Sequence, residues 1–553
     1  MEREGCILCI VMAGAAVLGL GARLQGAQEI AKLAARNQEA GDGFGYALAV
    51  SGDYALVGAP GEDSMSDDAG AAYVFRFNGT TWVQQAKLMA ADGGWGHYFG
   101  ASVAIHGDCA VVGAVGGRNP DTLNTGAAYV FYRSGANWVQ QAKLNASDAA
   151  NCASFGCAVA TDGNVIVVGS WGDDARGYDA GAAYVFRRAG ASWTQQQKLT
   201  ASDGAADDCF GVSIALDGNC LLIGASGDND YGNDSGSAYV FYDDGGFWVQ
   251  QQKLTVADGT ANQFFGESVA LGGSHAIIGA SGDAQVGLFS GSAYAFVRDG
   301  ATWTATSKLM SSDLGPGDSF GNGVALCSSY ALITAPGEDA VYAFTWDGSG
   351  WVEQSKLCDP AGEDNDVFGA SVATDSDHVL VGAPGDDDDR GSAYVYDGTS
   401  LRLAPVHRFW SEVYGNHFYT ISQYEKDYVM ARWSDVWIYE GISYYTFPEN
   451  AVAGLSAVHR FWSERYCSHF YTADEAEKEY VIDMYPGIWV YEGPVFYAFR
   501  PGQQPAGTVP VYRFWSEDLA AHFYTASLTD RDFLLSHPER GWQYETIAWY
   551  AYP

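Results

Sequence analysis

Positive charge is scarce in this chain: 29 of its 553 residues are Lys or Arg against 67 Asp or Glu, for a formal net charge of −38. A field of that sign repels phosphate backbones and anionic lipid, which argues against nucleic acid as a partner and leaves cations and neutral surfaces compatible. Proline is sparse as well, with 15 residues beside 69 glycines, so the turns must rely on glycine. After residue 27 no run approaches the ~18 apolar residues that a membrane span needs. No zinc helix of the H-E-x-x-H type and no phosphate loop of the G-x-x-x-x-G-K type occurs. Of ten cysteines, eight lie beyond the N-terminal stretch with spacings that fit no zinc site, and buried free thiols and disulfides of unassigned connectivity are the two readings.

What is present begins with an apolar run, Cys6 to Leu20, followed by small residues at Gly21, Ala22, Gly26 and Ala27. Residues 1–27 read as an export signal; because Met1-Glu2-Arg3-Glu4 is not net positive, a retained membrane anchor is the alternative. Either way the expected location is extracellular, secreted or at the cell surface.

Residues 28–400 are organised by a Phe-Gly pair at Phe44, Phe99, Phe155, Phe210, Phe265, Phe320 and Phe368, spaced by 55, 56, 55, 55, 55 and 48 residues. Each copy carries strand-like runs, in the second copy Ala101–Ile105, Cys109–Val115, Ala127–Tyr132 and Trp138–Leu144, separated by Gly, Asn or Asp. Four short strands per ~50 residues are the pattern of a β-propeller blade, a sheet that buries both faces only against its neighbours. Lys-Leu ends the fourth run 11 residues before each later Phe-Gly pair, and Lys32-Leu33 stands 11 residues before the first. The last repeat stops after its third run, so the segment Ile30 to Leu33 is expected to complete it and close a seven-bladed ring.

Phe44-Gly45 with Gly58-Ala59-Pro60, and Phe368-Gly369 with Gly382-Ala383-Pro384, resemble the FG-GAP repeats of integrin α-chain heads and bacterial surface proteins. The resemblance implies an all-β propeller and, in some members, Ca²⁺ held by a D-x-D-x-D-G loop between the first two strands. That loop is missing here, where the turns are as short as Ser51-Gly52-Asp53. Carboxylates instead crowd the loop between the second and third strands, giving the candidate Ca²⁺ ligands Asp63, Asp67, Asp68, Asp173, Asp174, Asp228, Asp230, Asp386 and Asp387. Asx-turns that solvate exposed loops explain the same residues without metal.

Residues 401–553 carry a different repeat, opening at Val406-His407-Arg408-Phe409-Trp410, Val458-His459-Arg460-Phe461-Trp462 and Val511-Tyr512-Arg513-Phe514-Trp515, each followed by His-Phe-Tyr-Thr at His417, His469 and His522. Three copies predict a three-repeat β domain with a β-trefoil-like arrangement, similar to an aromatic repeat of unassigned function found in bacterial extracellular proteins. Rings stack on sugars and Arg and His bind hydroxyls, so Arg408, Trp410, His417, Arg460, Trp462, His469, Arg513, Trp515 and His522 are candidate glycan ligands. Alternatively these residues form the core, with Arg408–Glu440, Arg460–Glu492 and Arg513–Glu545 as structural ion pairs. The expectation is a non-catalytic binding or adhesion protein whose partner is a glycan or an extracellular protein. The alternative is a polysaccharide-active enzyme with a carboxylate pair in the propeller channel.

Overall fold

The second strand of each propeller repeat is apolar on both faces, as in Tyr54–Ala59, Cys109–Ala114 and Cys220–Ala225, each buried at all six positions. A strand of that kind is stable only between two covering layers, and a ring of stacked sheets supplies them. In the computed structural model, which describes residues 29–553 apart from 117–124, 149–152, 328, 347–349, 361–365, 448–453 and 506, the strands between Glu29 and Asp397 form seven four-stranded antiparallel sheets. The expected signal segment, Cys152 and the second repeat's Gly117-Arg118 lie outside the described residues. The fold is a seven-bladed β-propeller.

Blade 1 consists of Ala47–Ser51, Tyr54–Ala59, Ala71–Phe77 and Trp82–Leu88. The first strands of successive blades touch one another in sequence, and that of the last blade touches that of the first, so they line the centre of a closed ring. The last blade joins Ser371–Thr374, His378–Ala383 and Ser392–Asp397 to Glu29–Leu33, with Glu29 opposite Tyr396 and Leu33 opposite Ala393.

Glycine sets the spacing of the blades. A Cβ on Gly224 would collide with the carbonyl oxygen of Gly266, the glycine of the next Phe-Gly pair, and the same clash relates Gly58 to Gly100, Gly169 to Gly211 and, across the closure, Gly382 to Gly45. The glycines of the two signature motifs are therefore the two sides of one backbone contact. The Phe of each pair is buried beneath it, Phe210 meeting Tyr239 and Phe241 edge to face at 5.5 and 6.0 Å. Between the sixth and seventh blades Thr334 takes the first glycine's place; its side chain is fully buried and accepts the Gly323 N–H at 2.8 Å.

In the C-terminal domain each repeat gives a hairpin, a short helix and a long strand; the first has Ala404–Ser411, Asn416–Thr420, helix Gln423–Arg432 and Ile438–Thr446. Nine strands lie in a three-stranded and a six-stranded sheet around one core of Val406, Val458, Val511 and the aromatics Tyr444, Phe496 and Trp549. Three tyrosines close it. The Tyr419 hydroxyl donates to the Tyr524 carbonyl, Tyr524 to that of Tyr471 and Tyr471 to that of Tyr419, at 2.7, 2.7 and 2.9 Å. Each hydroxyl also accepts an N–H from the residue to which it donates. Among the described residues no helix is long and apolar enough to cross a membrane, and Cys109, Cys157, Cys209, Cys220, Cys327, Cys358 and Cys467 are free thiols.

Leu33 is 3% exposed at the closing strand. Leu33→Ala is expected to lower stability by about 2–4 kcal/mol in urea unfolding, as much as Leu199→Ala is expected to within an internal blade. A change near zero would mean that the strand does not hold the ring.

Candidate functional site

The candidate glycan ligands of the C-terminal domain meet at its three inter-repeat joints. Arg460 pairs through Nε with Glu492 of its own repeat at 2.8 Å, and bidentately with Glu425 of the preceding repeat's helix at 3.0 and 3.1 Å. Arg513 does the same with Glu545 at 2.8 Å and Glu477 at 2.9 and 3.1 Å, while Arg408, closing the circle, meets Glu440 at 2.9 Å and, by a single contact at 3.3 Å, Asp530 of the third repeat's helix. Thr546, which replaces the glycine of the other copies, leaves the third pair intact. Each guanidinium also lies over a ring of the preceding repeat: Arg408 over Phe523, Arg460 over Phe418 and Arg513 over Phe470.

The histidines occupy the same joints. His417, His469 and His522 lie against Trp410, Trp462 and Trp515 at 4.8, 4.7 and 4.7 Å, and against Phe523, Phe418 and Phe470 of the neighbouring repeat at 4.7, 5.1 and 5.0 Å. Burial, and then the charge of Arg460, push His469 down to about 3. Burial outweighs the hydrogen bonds donated to Glu440 and Glu545 and lowers His417 and His522 too. The three imidazoles are therefore neutral at pH 7, and the nine candidates form ion pairs and packing contacts within the chain, with the three indoles half-buried.

Glu425, Glu477 and Asp530 escaped the sequence reading. Each is the third residue of a helix whose cap is Ser422, Asp474 or Ser527, and the cap side chain accepts its N–H. The recurring S/D-x-x-E/D spacing is the signal for them. A capping-box acid ordinarily reaches back to its own cap; these reach the next repeat's arginine.

In the propeller the acidic loops surround a lysine. The Lys253 ammonium lies 2.8, 2.8 and 2.7 Å from Asp203, Asp228 and Asp230, and the Tyr239 hydroxyl donates to Asp203 and Asp228 at 3.0 and 2.9 Å. Burial alone would raise the Asp203 carboxyl, but the hydrogen bond and charge of Lys253 together with the Tyr239 hydroxyl outweigh it and hold the group below the ordinary range. The arrangement recurs with Lys198 between Asp148 and Asp173, Lys308 between Asp258 and Asp283, and Lys32 on Asp386. These are the lysines of the Lys-Leu motif, which the sequence reading used only to set register.

The donor set does not fit a resident Ca²⁺ at these clusters. Asp203, Asp228 and Asp230 are near enough together to share an ion, yet the ammonium already sits among their oxygens. The remaining oxygens serve the loop backbone: Asp63 accepts from Asp68 N, Asp173 from Ala175 N, Asp174 from Asp179 N and Asp228 from Asp230 N. Asp67 is exposed, and Asp387 faces Arg390 at 3.5 Å.

Above these anchors, in four of the blades, the loops between second and third strands share one left-handed position and differ at the tip. Asp68, Asp179, Asp234 and Phe289, at one position of four blades, have φ of 54°, 50°, 53° and 55°. The tips read Met65-Ser66-Asp67, Arg176-Gly177-Tyr178, Tyr231-Gly232-Asn233 and Val286-Gly287-Leu288. Each is bonded to the connection entering the next blade, through Gly96 N to Asp67 O, Asp207 N to Tyr178 O, Asn262 N to Asn233 O and Gly317 N to Leu288 O. Both loop sets thus lie on one face of the disc, where Tyr178 and Leu288 are each 69% exposed and Trp95 52%. Gly317-Asp318-Ser319-Phe320-Gly321 has the spacing of a nucleophile elbow, but it is one of these connections, leading into a propeller strand and not a helix.

Two outcomes are expected from these sites. Chelator leaves the urea midpoint unchanged, whereas Lys253→Met lowers stability by about 1–2 kcal/mol by removing the ammonium from the buried Asp228 carboxylate, the exposed Asp203 and Asp230 being solvated; a chelator-induced drop would reinstate bound Ca²⁺. His469 has its ordinary value, 6.5, when unfolded and a lower one when folded, so its contribution is full above pH 6.5 and is lost as the pH falls below it. C-terminal stability should fall between pH 7 and 5, with about 2 kcal/mol of the fall coming from His469, and His469→Gln should flatten that slope in denaturation curves.

Segments 28–75, 82–131, 138–186, 193–241, 248–296, 303–349 and 351–396 match the FG-GAP repeat, and 405–552 match a domain of unknown function (DUF5648). No curated protein matches. Similar solved structures include Sqt1 of Saccharomyces cerevisiae, 10% identical, covering 67% of this chain and 99% of that one with a TM-score of 0.38. A protein from Lactobacillus plantarum is 14% identical over 62% of this chain and 92% of its own, TM-score 0.43. The periplasmic gluconolactonase PpgL of Pseudomonas aeruginosa is 15% identical over 56% and 84%, TM-score 0.39. With seven matched repeats spanning more than half its length, the chain belongs to the FG-GAP repeat family.

Proposed function

We propose that the chain is an extracellular, non-catalytic binding or adhesion protein that docks a surface protein on the loop face of its propeller. The observation that carries this reading is the row of loops with one shared left-handed position and four different tips. Anchors repeat because the fold needs them, whereas tips that differ while projecting Tyr178, Tyr231 and Leu288 into solvent serve recognition. Aliphatic tips such as Met65, Val286 and Leu288 favour a protein over a glycan, since they offer no ring to stack on a sugar. Exposed carboxylates at Asp63, Asp67 and Asp174 favour a partner with a basic surface. The apolar stretch Cys6 to Leu20 supports export.

A hydrolytic channel is less well supported. The residues following the seven Phe-Gly pairs, on or beside the innermost strands, are Tyr46, Ala101, Cys157, Val212, Glu267, Asn322 and Ala370. Glu267 is the one carboxylate among them, whereas glycoside hydrolysis uses two. Burial raises its pKa, and it accepts a hydrogen bond from Ser281.

The test presents the full chain, and the triple variant Tyr178→Ser, Tyr231→Ser, Leu288→Ser, to arrays of extracellular proteins and of glycans. Binding to a protein, weakened about tenfold or more in the variant at an unchanged urea midpoint and weakened by salt, is expected. Protein binding that ignores the three substitutions would remove the propeller face from consideration, and binding confined to glycans would replace the protein partner.

A further inference from the structure

One arginine in the C-terminal domain has no partner. Arg500, just past the second repeat's long strand, makes no side-chain hydrogen bond or ion pair to any described residue, and its Nε is buried without an acceptor. Every other arginine at the inter-repeat joints is held by two acids. In a half-buried guanidinium such a buried, unsatisfied donor costs stability unless a ligand supplies the acceptor.

Arg500 lines a cavity of about 320 Å³ between the second and third repeats, together with Thr472, Asp474, Glu477, Arg513 and Thr546. The carboxylates there are engaged. Both Glu477 oxygens bind Arg513, one of them also taking the Thr472 hydroxyl at 2.6 Å, and Asp474 caps its helix by accepting from Ala476 N and Glu477 N. The donors left over are those of Arg500, beside the positive end of the ten-residue helix Glu475–Met484.

Two departures from the threefold pattern line the cavity. The register places Gly441 opposite Arg408 and Gly493 opposite Arg460, but Thr546 opposite Arg513. In the sequence repeat, Arg500 stands where the other copies have Pro448 and Pro553. Substitutions that served only solubility would have no reason to converge on one joint, and the volume is at the lower end of that of small-ligand sites.

We propose that this cavity binds the carboxylate of an acidic sugar, a uronic acid unit, with Arg500 forking onto the carboxylate and Thr546 and Asp474 meeting ring hydroxyls. A planar guanidinium matches a carboxylate bidentately, and a single pyranose suits the space. The site is independent of the propeller face, so the two readings stand or fall separately. A free sugar acid and a uronate within a polysaccharide share this chemistry.

The experiment is calorimetry and saturation-transfer NMR on the full chain with galacturonate, a galacturonate oligomer, glucose and acetate. Galacturonate is expected to bind with Kd of about 1 mM or tighter, the oligomer more tightly if the polymer is the natural source, and glucose and acetate at least tenfold more weakly. Arg500→Pro, which restores the residue of the other repeats, should abolish uronate binding, Arg500→Lys should retain part of it, and Thr546→Gly should weaken it, all with the urea midpoint unchanged. No uronate binding, equal binding by Arg500→Pro, or acetate binding as well as galacturonate would each overturn the proposal.

Discussion

Where Gly224 of one blade lies against Gly266 of the next there is no room for a side chain, and that backbone-to-backbone contact governs the propeller. It brings sheets close enough for strands such as Cys220–Ala225 to lose all exposure, and seats each Phe of the Phe-Gly pairs beneath its neighbour's edge. Because the contact recurs around the ring, the loops above it inherit one geometry, and their tips become free to vary without loosening the disc.

Charge follows a similar division of labour. The buried acids Asp173, Asp228, Asp283 and Asp386 each hold a lysine ammonium, which offsets these four charges inside the ring. The excess negative charge is thereby left to the surface, where it acts on partners and solubility. In the C-terminal domain arginine takes the part of lysine, with its planar fork spanning two acids from two repeats at once.

The propeller was largely legible in the sequence because its defining constraint is local and repeated: seven Phe-Gly pairs and the Lys-Leu spacing mark blades without knowledge of any contact. Strand assignments in the second repeat are within a few residues of the observed Phe99–His106, Cys109–Ala114, Ala127–Ser134 and Asn137–Leu144. The candidate sites were harder to read, because one residue type serves both recognition and packing. Arg408, Arg460 and Arg513 have the composition of a sugar site, and only the positions of Glu425, Glu477 and Asp530 reveal them as joints between repeats. Asp228 resembles a calcium ligand until Lys253, distant in sequence, is placed beside it. Arg500 carries no motif at all; its significance lies in departing from one.

The closing blade also orders events in time. Glu29–Leu33 is made before the rest of the ring, and its partner Ser392–Asp397 is the last propeller strand to be synthesised. Until then the sixth blade's growing edge and the first blade's exposed face have no neighbour, and the early strand must wait unpaired. A chain emerging from a ribosome or a secretion pore therefore cannot finish this disc piecemeal: the ring snaps shut in one late step, after which both ends of the propeller sequence are stitched into the same sheet.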